Sequence, residues 1–241
     1  LSDPVAVSIS ASASDISCNG LSDGTVTGVG AGGTGALTYD LEDDLGNTIA
    51  NTSGDVSGIY TGLGAGSYQV VATDVNLCTT TSGVVVVTEP ALVTASTTQS
   101  NYNGFGVSCN GDSDGYIEVT ALGGTGNYTF TLGGAATAVQ TQPGGVYRFS
   151  GLSAGVYTVD VEDASGCPTV ALSLPVTLTE PTLLSISGSV TDLKNGSDVS
   201  CFGSSDGEIT AIGSDGSGGY SYVLNEDLLN TSGNASGVYT G

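Results

Sequence analysis

Residues 151–167 read GLSAGVYTVDVEDASGC, and residues 62–78 read GLGAGSYQVVATDVNLC. After the Gly-x-Tyr step both runs alternate apolar and polar side chains with a period of two, the mark of a strand with one buried face. Tyr68 and Tyr157 each follow a glycine by two residues, with Leu63 and Leu152 five residues upstream. That spacing predicts a tyrosine corner, in which the hydroxyl bonds back to upstream backbone where the chain crosses between two sheets. Gly66 and Gly155 are expected to supply a positive φ at the corner. An ordinary strand-opening tyrosine is the alternative.

The two runs are one motif of a longer internal repeat. SCNGLSDG (17–24), SCNGDSDG (108–115) and SCFGSSDG (200–207) recur at intervals of 91 and 92 residues. LSDP (1–4), VTEP (87–90) and LTEP (178–181) mark the joints. The chain therefore divides into 1–4, the end of a preceding repeat or linker, and units 5–90, 91–181 and 182–241. The third unit stops before its Gly-Leu-x-Ala-Gly-x-Tyr segment, because SGVYTG (236–241) matches SGIYTG (57–62). Units of this length fold as single domains, unlike solenoid repeats of 20 to 50 residues. The prolines favour extended backbone before them. With almost no spacer between units, adjacent beads are expected to stack stiffly.

Within a unit, ALTYDL (36–41), NYTFTL (127–132) and GYSYVL (219–224) align Leu41, Leu132 and Leu224 on one side of an alternating strand. Runs of Gly, Asn, Asp and Ser separate such strands, and no stretch has a helical period. The count comes to roughly seven strands per unit. The fold class read from this pattern is all-β, as tandem immunoglobulin-like β-sandwich domains.

Composition narrows the function. Of 241 residues, 24 are acidic and only Arg148 and Lys194 are basic, for a formal charge of −22, while 39% are hydrophobic. The apolar share supports folded cores. The charge opposes nucleic acid and anionic membrane surfaces, which attract Lys and Arg. No apolar run is long enough to insert in a membrane as a helix, and residues 1–11 lack the basic flank and cleavage pattern of a signal peptide. The chain starts without Met, which reads either as a removed N-terminus or as a segment of something longer.

Five cysteines and no histidine constrain the chemistry further. Cys18 and Cys78 are 60 residues apart, and Cys109 and Cys167 are 58 apart. The economical reading is one bridge per unit, Cys18–Cys78 and Cys109–Cys167, with the partner of Cys201 near position 260, beyond Gly241. Closing a loop of that size is worth about 4 kcal/mol in the chain-entropy account. Buried free thiols are the alternative; zinc is disfavoured without His or a CxxC pair. Disulfides imply an extracellular or cell-surface location.

Together, SCNGxSDG, GLxAGxYxVxVxD…GC and the closing TEP resemble the SprB-type repeats of very long cell-surface proteins in gliding and related Bacteroidota. The resemblance implies export, usually by the type IX route, a role in surface adhesins or filaments, and no catalytic residues. Phe202 departs from the motif, standing where the other copies have Asn19 and Asn110. The asparagine is accordingly read as dispensable to the motif.

The remaining candidate sites each have a plainer reading. Asp23, Asp112, Asp114 and Asp206 are candidate calcium ligands, but only Asp-Gly recurs, and a tight turn demands that pair. The position where a calcium loop would carry its bidentate Glu is Ala121. A cation shared with Asp74 or Asp163 is a further candidate. Asp40, Glu42, Asp43 and Asp44 read as a solvated hairpin, with Glu226 and Asp227 as partial counterparts. The Asn51, Asn127, Asn195, Asn230 and Asn234 sequons are read as chance in a Ser- and Thr-rich chain. Lys194, the single lysine, leaves units one and two without an isopeptide cross-link.

These readings point to no enzyme and no cofactor other than a candidate calcium ion. The expected partners are neighbouring repeats, identical chains in a filament, or surface glycans, with no nucleic acid and no membrane insertion. The leading function is a structural stalk or filament segment. The alternative is a carbohydrate- or protein-binding module using sandwich-end loops, residues 42–56 and 133–146, or a calcium-rigidified one.

Overall fold

A computed structural model of the chain describes residues 3–169, 175–190, 196–225 and 231–240. Lys194, Asn195, Glu226, Asp227 and Asn230 lie outside them. No α-helix occurs among the described residues. Bead one runs β1 (Ser8–Ser14), β2 (Gly24–Ala31), β3 (Thr38–Asp43), β4 (Ile59–Leu63), β5 (Gly66–Thr73), β6 (Thr79–Thr81) and β7 (Val85–Val87). Bead two runs β8 (Thr94–Gln99), β9 (Gly115–Leu122), β10 (Tyr128–Gly134), β11 (Ala138–Gln142), β12 (Val146–Leu152), β13 (Gly155–Glu162) and β14 (Val176–Leu178). Bead three shows β15 (Ser185–Val190), β16 (Glu208–Ser214) and β17 (Val238–Thr240).

Each complete bead is a sandwich of two antiparallel sheets. In bead one, β1-β2-β4 faces a sheet in which β5 pairs β3 on one side and β6 then β7 on the other. In bead two, β12-β9-β8 faces β11-β10-β13-β14. This is the immunoglobulin-like arrangement of a three-stranded and a four-stranded sheet. Inward side chains alternate as the period of two requires. Val70 and Ala72 of β5, and Tyr157, Val159 and Val161 of β13, are all buried. Each bead has its own core, one around Val26, Leu41, Tyr60 and Val70, the other around Ile117, Phe130, Leu132 and Val159.

Residues 219–224 of bead three, although they alternate like β3 and β10, form no strand. Those strands are held by β5 and β13, and among the described residues of bead three no strand stands in that place.

The tyrosine hydroxyls turn back at the sheet crossings, Tyr68 donating to the Gly64 carbonyl at 3.0 Å and Tyr157 to that of Ser153 at 2.9 Å. The glycine expectation needs correction. Gly66 and Gly155 open extended strands, and the positive φ belongs to Gly62 and Gly151, at +73° each. What Gly66 provides is room, since a Cβ there would stand 3.2–3.3 Å from the Tyr68 ring. The acidic hairpin is a turn built on Asp43, whose carboxylate accepts the N–H of Leu45 and both the N–H and side-chain amide of Asn47.

The strands run from pole to pole, so every turn lies at one of two ends. In bead one the chain enters at Val5, whose carbonyl accepts the Gly33 N–H. It leaves past Thr88, whose carbonyl accepts the Ile16 N–H. The loop holding Cys18 therefore sits at the exit pole. The Cys78 turn follows β5, whose last residue, Thr73, pairs Thr79 at the entrance pole.

Candidate functional site: the joint between beads

The disulfide of this structure joins Cys18 to Cys167, across the joint between beads one and two. Cys78, Cys109 and Cys201 are free and exposed. The expected Cys18–Cys78 and Cys109–Cys167 bridges are thus both overturned, for a geometric reason. Within a bead the two cysteines lie beyond opposite ends of β5 or β13, each eight residues long. At roughly 3.3 Å per residue that is on the order of 20 Å, whereas a bridge needs Cα atoms within about 7 Å.

Three layers of contact build the joint. The first is the Cys loop itself. In all three copies the aspartate of Ser-Asp-Gly accepts the N–H of the serine six residues earlier, Asp23 from Ser17, Asp114 from Ser108 and Asp206 from Ser200, each at 3.0 Å. Ser17 also donates its hydroxyl to Asp23, and the Ser108 hydroxyl donates to Asp112 at 3.2 Å. The cysteine carbonyl accepts the N–H of Leu21, Asp112 or Ser204 three residues on. Gly20, Gly111 and Gly203 take a positive φ of 78° to 82° to close that turn. These hydrogen bonds hold Asp23 and Asp114 below the ordinary carboxylate range. The aspartates named as calcium candidates are thus engaged as turn acceptors. No group of three or more His, Cys, Asp or Glu is disposed to hold a metal among the described residues.

The second layer clamps the linker to this loop. Asn19 donates its side-chain amide to the Pro90 carbonyl at 3.0 Å, and the Glu89 carboxylate accepts the Gly20 N–H at 3.0 Å. Asn110 and Pro181, at 3.0 Å, and Gly111 and Glu180, at 2.8 Å, repeat both bonds at the second joint. The asparagine read as dispensable therefore has a job, and the glutamate of Thr-Glu-Pro shares it. Phe202 cannot donate such a bond and is fully exposed.

The third layer receives the linker at the next bead. The first residue after each joint proline accepts an N–H from a glycine loop: Ala91 from Gly124 at 2.7 Å and Thr182 from Gly216 at 3.0 Å. Gly123 has a φ of +81°, and a Cβ there would stand 2.0 Å from the Leu92 carbonyl oxygen. Behind this loop lies a buried carboxylate that the sequence reading raised only as a calcium candidate. Asp163, 4% exposed, accepts the N–H of Thr125 at 2.8 Å and those of Ser165 and Cys167 at 2.9 Å each. Burial pushes the Asp163 carboxyl up, but the hydrogen bonds from Cys167, Thr125 and Ser165 outweigh it and hold the group below the usual aspartate range. It fixes the turn that presents Cys167. Asp74 does the same for Cys78, with bonds from Thr34, Asn76 and Cys78 at 2.9 Å. In bead one Asp74 and Asp23 stand at opposite poles and share no cation.

A groove of about 370 Å³ follows the joint, lined by Cys18, Asn19 and Leu21 on one side and Leu92, Asp163 and Cys167 on the other. Its chemistry is that of a fastening: a covalent link and hydrogen bonds from the Cys loop to the linker.

The family model described as SprB repeat matches residues 107–137 and 195–228, each match including a Cys loop. The chain contains SprB-type repeats. The SprB repeat points to a cell-surface or extracellular protein, and no helix among the described residues is long and apolar enough to cross a membrane. No curated protein sequence matches the chain. Among solved structures, the chain is similar to three N-terminal domains of the bacteriophage RB49 highly immunogenic outer capsid protein. That match has 16% identity, covers 87% of this chain and 69% of that one, and has a TM-score of 0.46. Fibronectin(III)-like modules of Clostridium thermocellum CbhA match with 16% identity, 72% and 94% coverage and a TM-score of 0.34. A tetra-tandem repeat from the extending region of a large adhesion protein matches with 17% identity, 86% and 56% coverage and a TM-score of 0.25.

Proposed function

We propose that this chain is a structural segment of a cell-surface adhesin stalk or extracellular filament, with no catalytic role. The observation that carries the reading is the Cys18–Cys167 bridge across a joint with no spacer residues. A binding domain needs its loops free, whereas here the Cys18 loop, the Gly124 loop and the Cys167 turn are spent on the joint. Load applied along the chain meets hydrogen bonds at both joints and a covalent link at the first. Self-repulsion from a charge of −22 keeps neighbouring segments soluble and apart.

Binding of glycan or protein by residues 42–56 and 133–146 is the competing reading. It is weakened by where those residues go. The first segment holds the Asp43 turn, and the second is largely the edge strand β11 and its hairpin. Export and assembly with identical chains fit the SprB-type repeat and remain part of the proposal.

Small-angle scattering on the full chain tests it. An elongated particle with a maximum dimension close to that of end-to-end beads is expected, unchanged between low and high salt. A compact particle, or one whose dimension varies with salt, overturns the stalk reading.

A further inference from the structure

We infer that Cys109 and Cys78 are two halves of the same inter-bead link, so that each bead of this kind is bonded through its exit pole to the bead after it. The inference stands on the joint geometry and not on the stalk reading.

Cys109 is presented at the second joint as Cys18 is at the first. Its loop has the same glycine conformation and the same aspartate bond to the preceding serine. The linker clamp is the same pair of hydrogen bonds. Bead three is received by the same contact as bead two, a glycine N–H on the carbonyl after proline. A groove of about 320 Å³ lies there too, lined by Cys109, Asn110, Pro181 and Leu183. Opposite Cys109 the matching feature is the Gly-Cys turn that supplies Cys167 in bead two. Bead three of this chain does not include that turn. In bead one the Leu77-Cys78 turn takes that place: Leu77 has a φ of +64° as Gly166 has +77°, and the Cys78 N–H is held by Asp74 as that of Cys167 is held by Asp163. It is exposed at the entrance pole, where a preceding bead of this kind would present its own Cys loop.

Forming the link removes one hydrogen from each thiol. Two protons and two electrons pass to a disulfide oxidant, small-molecule or protein, which leaves as two thiols as the new S–S bond closes. A series of such links makes a ladder with a mechanical consequence. From one bridged cysteine the covalent path jumps into the next bead, bypassing the folded strands between.

The test inserts a second copy of bead one, residues 5–90, between Pro181 and Thr182 of the full chain. The copy carries Thr79→Ser, so that its cysteine peptide is distinguishable by mass. After oxidation with a glutathione disulfide buffer, free thiols are alkylated and non-reduced peptides are mapped. The expected result is a peptide pair joining Cys109 to the copy's Cys78, with loss of alkylation at both. In a second protein with the copy's Cys78→Ser, Cys109 becomes alkylated again while Cys18–Cys167 persists. The inference is overturned if Cys109 stays alkylated in the first protein while Cys18–Cys167 forms. A bridge between the two cysteines within any one bead overturns it as well, as does absence of the Cys18–Cys167 pair.

Discussion

Cys18 and Cys167 are separated by 149 residues in the chain, yet their Cα atoms lie 5.5 Å apart across the joint between two beads. Each belongs to a turn held by an aspartate. Asp23 accepts the N–H beside Cys18, and Asp163 accepts that of Cys167 itself. The bridge thus joins two loops that are each held by their own hydrogen bonds.

Removing the bridge should loosen and destabilise the pair of beads. In the chain-entropy account, a closed loop of this length is worth on the order of 5 kcal/mol. Cys18→Ser is expected to lower the urea midpoint of beads one and two by a corresponding amount. It should leave the far-ultraviolet spectrum unchanged, because each bead keeps its own core. An unchanged midpoint would show that the bridge constrains nothing.

Under load the effect is one of length. Pulling on the two termini of the oxidised chain transmits force from Cys18 directly to Cys167, bypassing the 149 residues of separation. At about 3.3–3.6 Å per extended residue, the fully extended length should be about 500 Å shorter than after reduction. Single-molecule force spectroscopy with and without dithiothreitol reads this difference. Equal lengths in both conditions would contradict it.

The tyrosine corners should contribute modestly. Tyr157→Phe removes the hydroxyl that donates to Ser153 and keeps the buried ring. A loss of about 1 kcal/mol is expected, measured by denaturant unfolding, with no change in the disulfide map.

Acid should loosen the turn that presents Cys167. Asp163 has its folded pKa depressed, by N–H groups that favour the carboxylate. Its contribution is therefore complete above the ordinary aspartate value of about 3.9 and lost as pH falls through the lower folded value. Asp163→Asn places an amide NH2 where N–H donors converge, so the variant is expected to lose about 1–3 kcal/mol at neutral pH. It should also show a shallower decline below pH about 4. A wild-type acid limb retained by the variant would count against this role.

Much of the fold was legible because a sandwich writes itself locally. The period of two in the run ending at Cys78, the Gly-x-Tyr step and the Asp-Gly turns each report on neighbours a few residues away. Comparison of the three copies then marked the joints. The glycines were partly misread because Gly66 and Gly155 are short of space, and only the positions of the Tyr68 ring and the Ala135 side chain reveal that. Glu89 and Glu180 passed as mere punctuation, since their acceptor role depends on a loop 69 residues earlier in sequence.

By itself the sequence determined the all-β character, the strand faces and which loops carry cysteine. Which cysteine meets which was decided only in three dimensions. Equal spacing within two beads suggested internal bridges, but spacing along the chain does not say at which pole a turn lies. That follows from how many times the strands cross the sandwich between two turns, and from what the linker brings against the exposed pole. Across β5 the crossing sends Cys78 to the entrance while Cys18 stays at the exit, and docking of bead two then supplies Cys167.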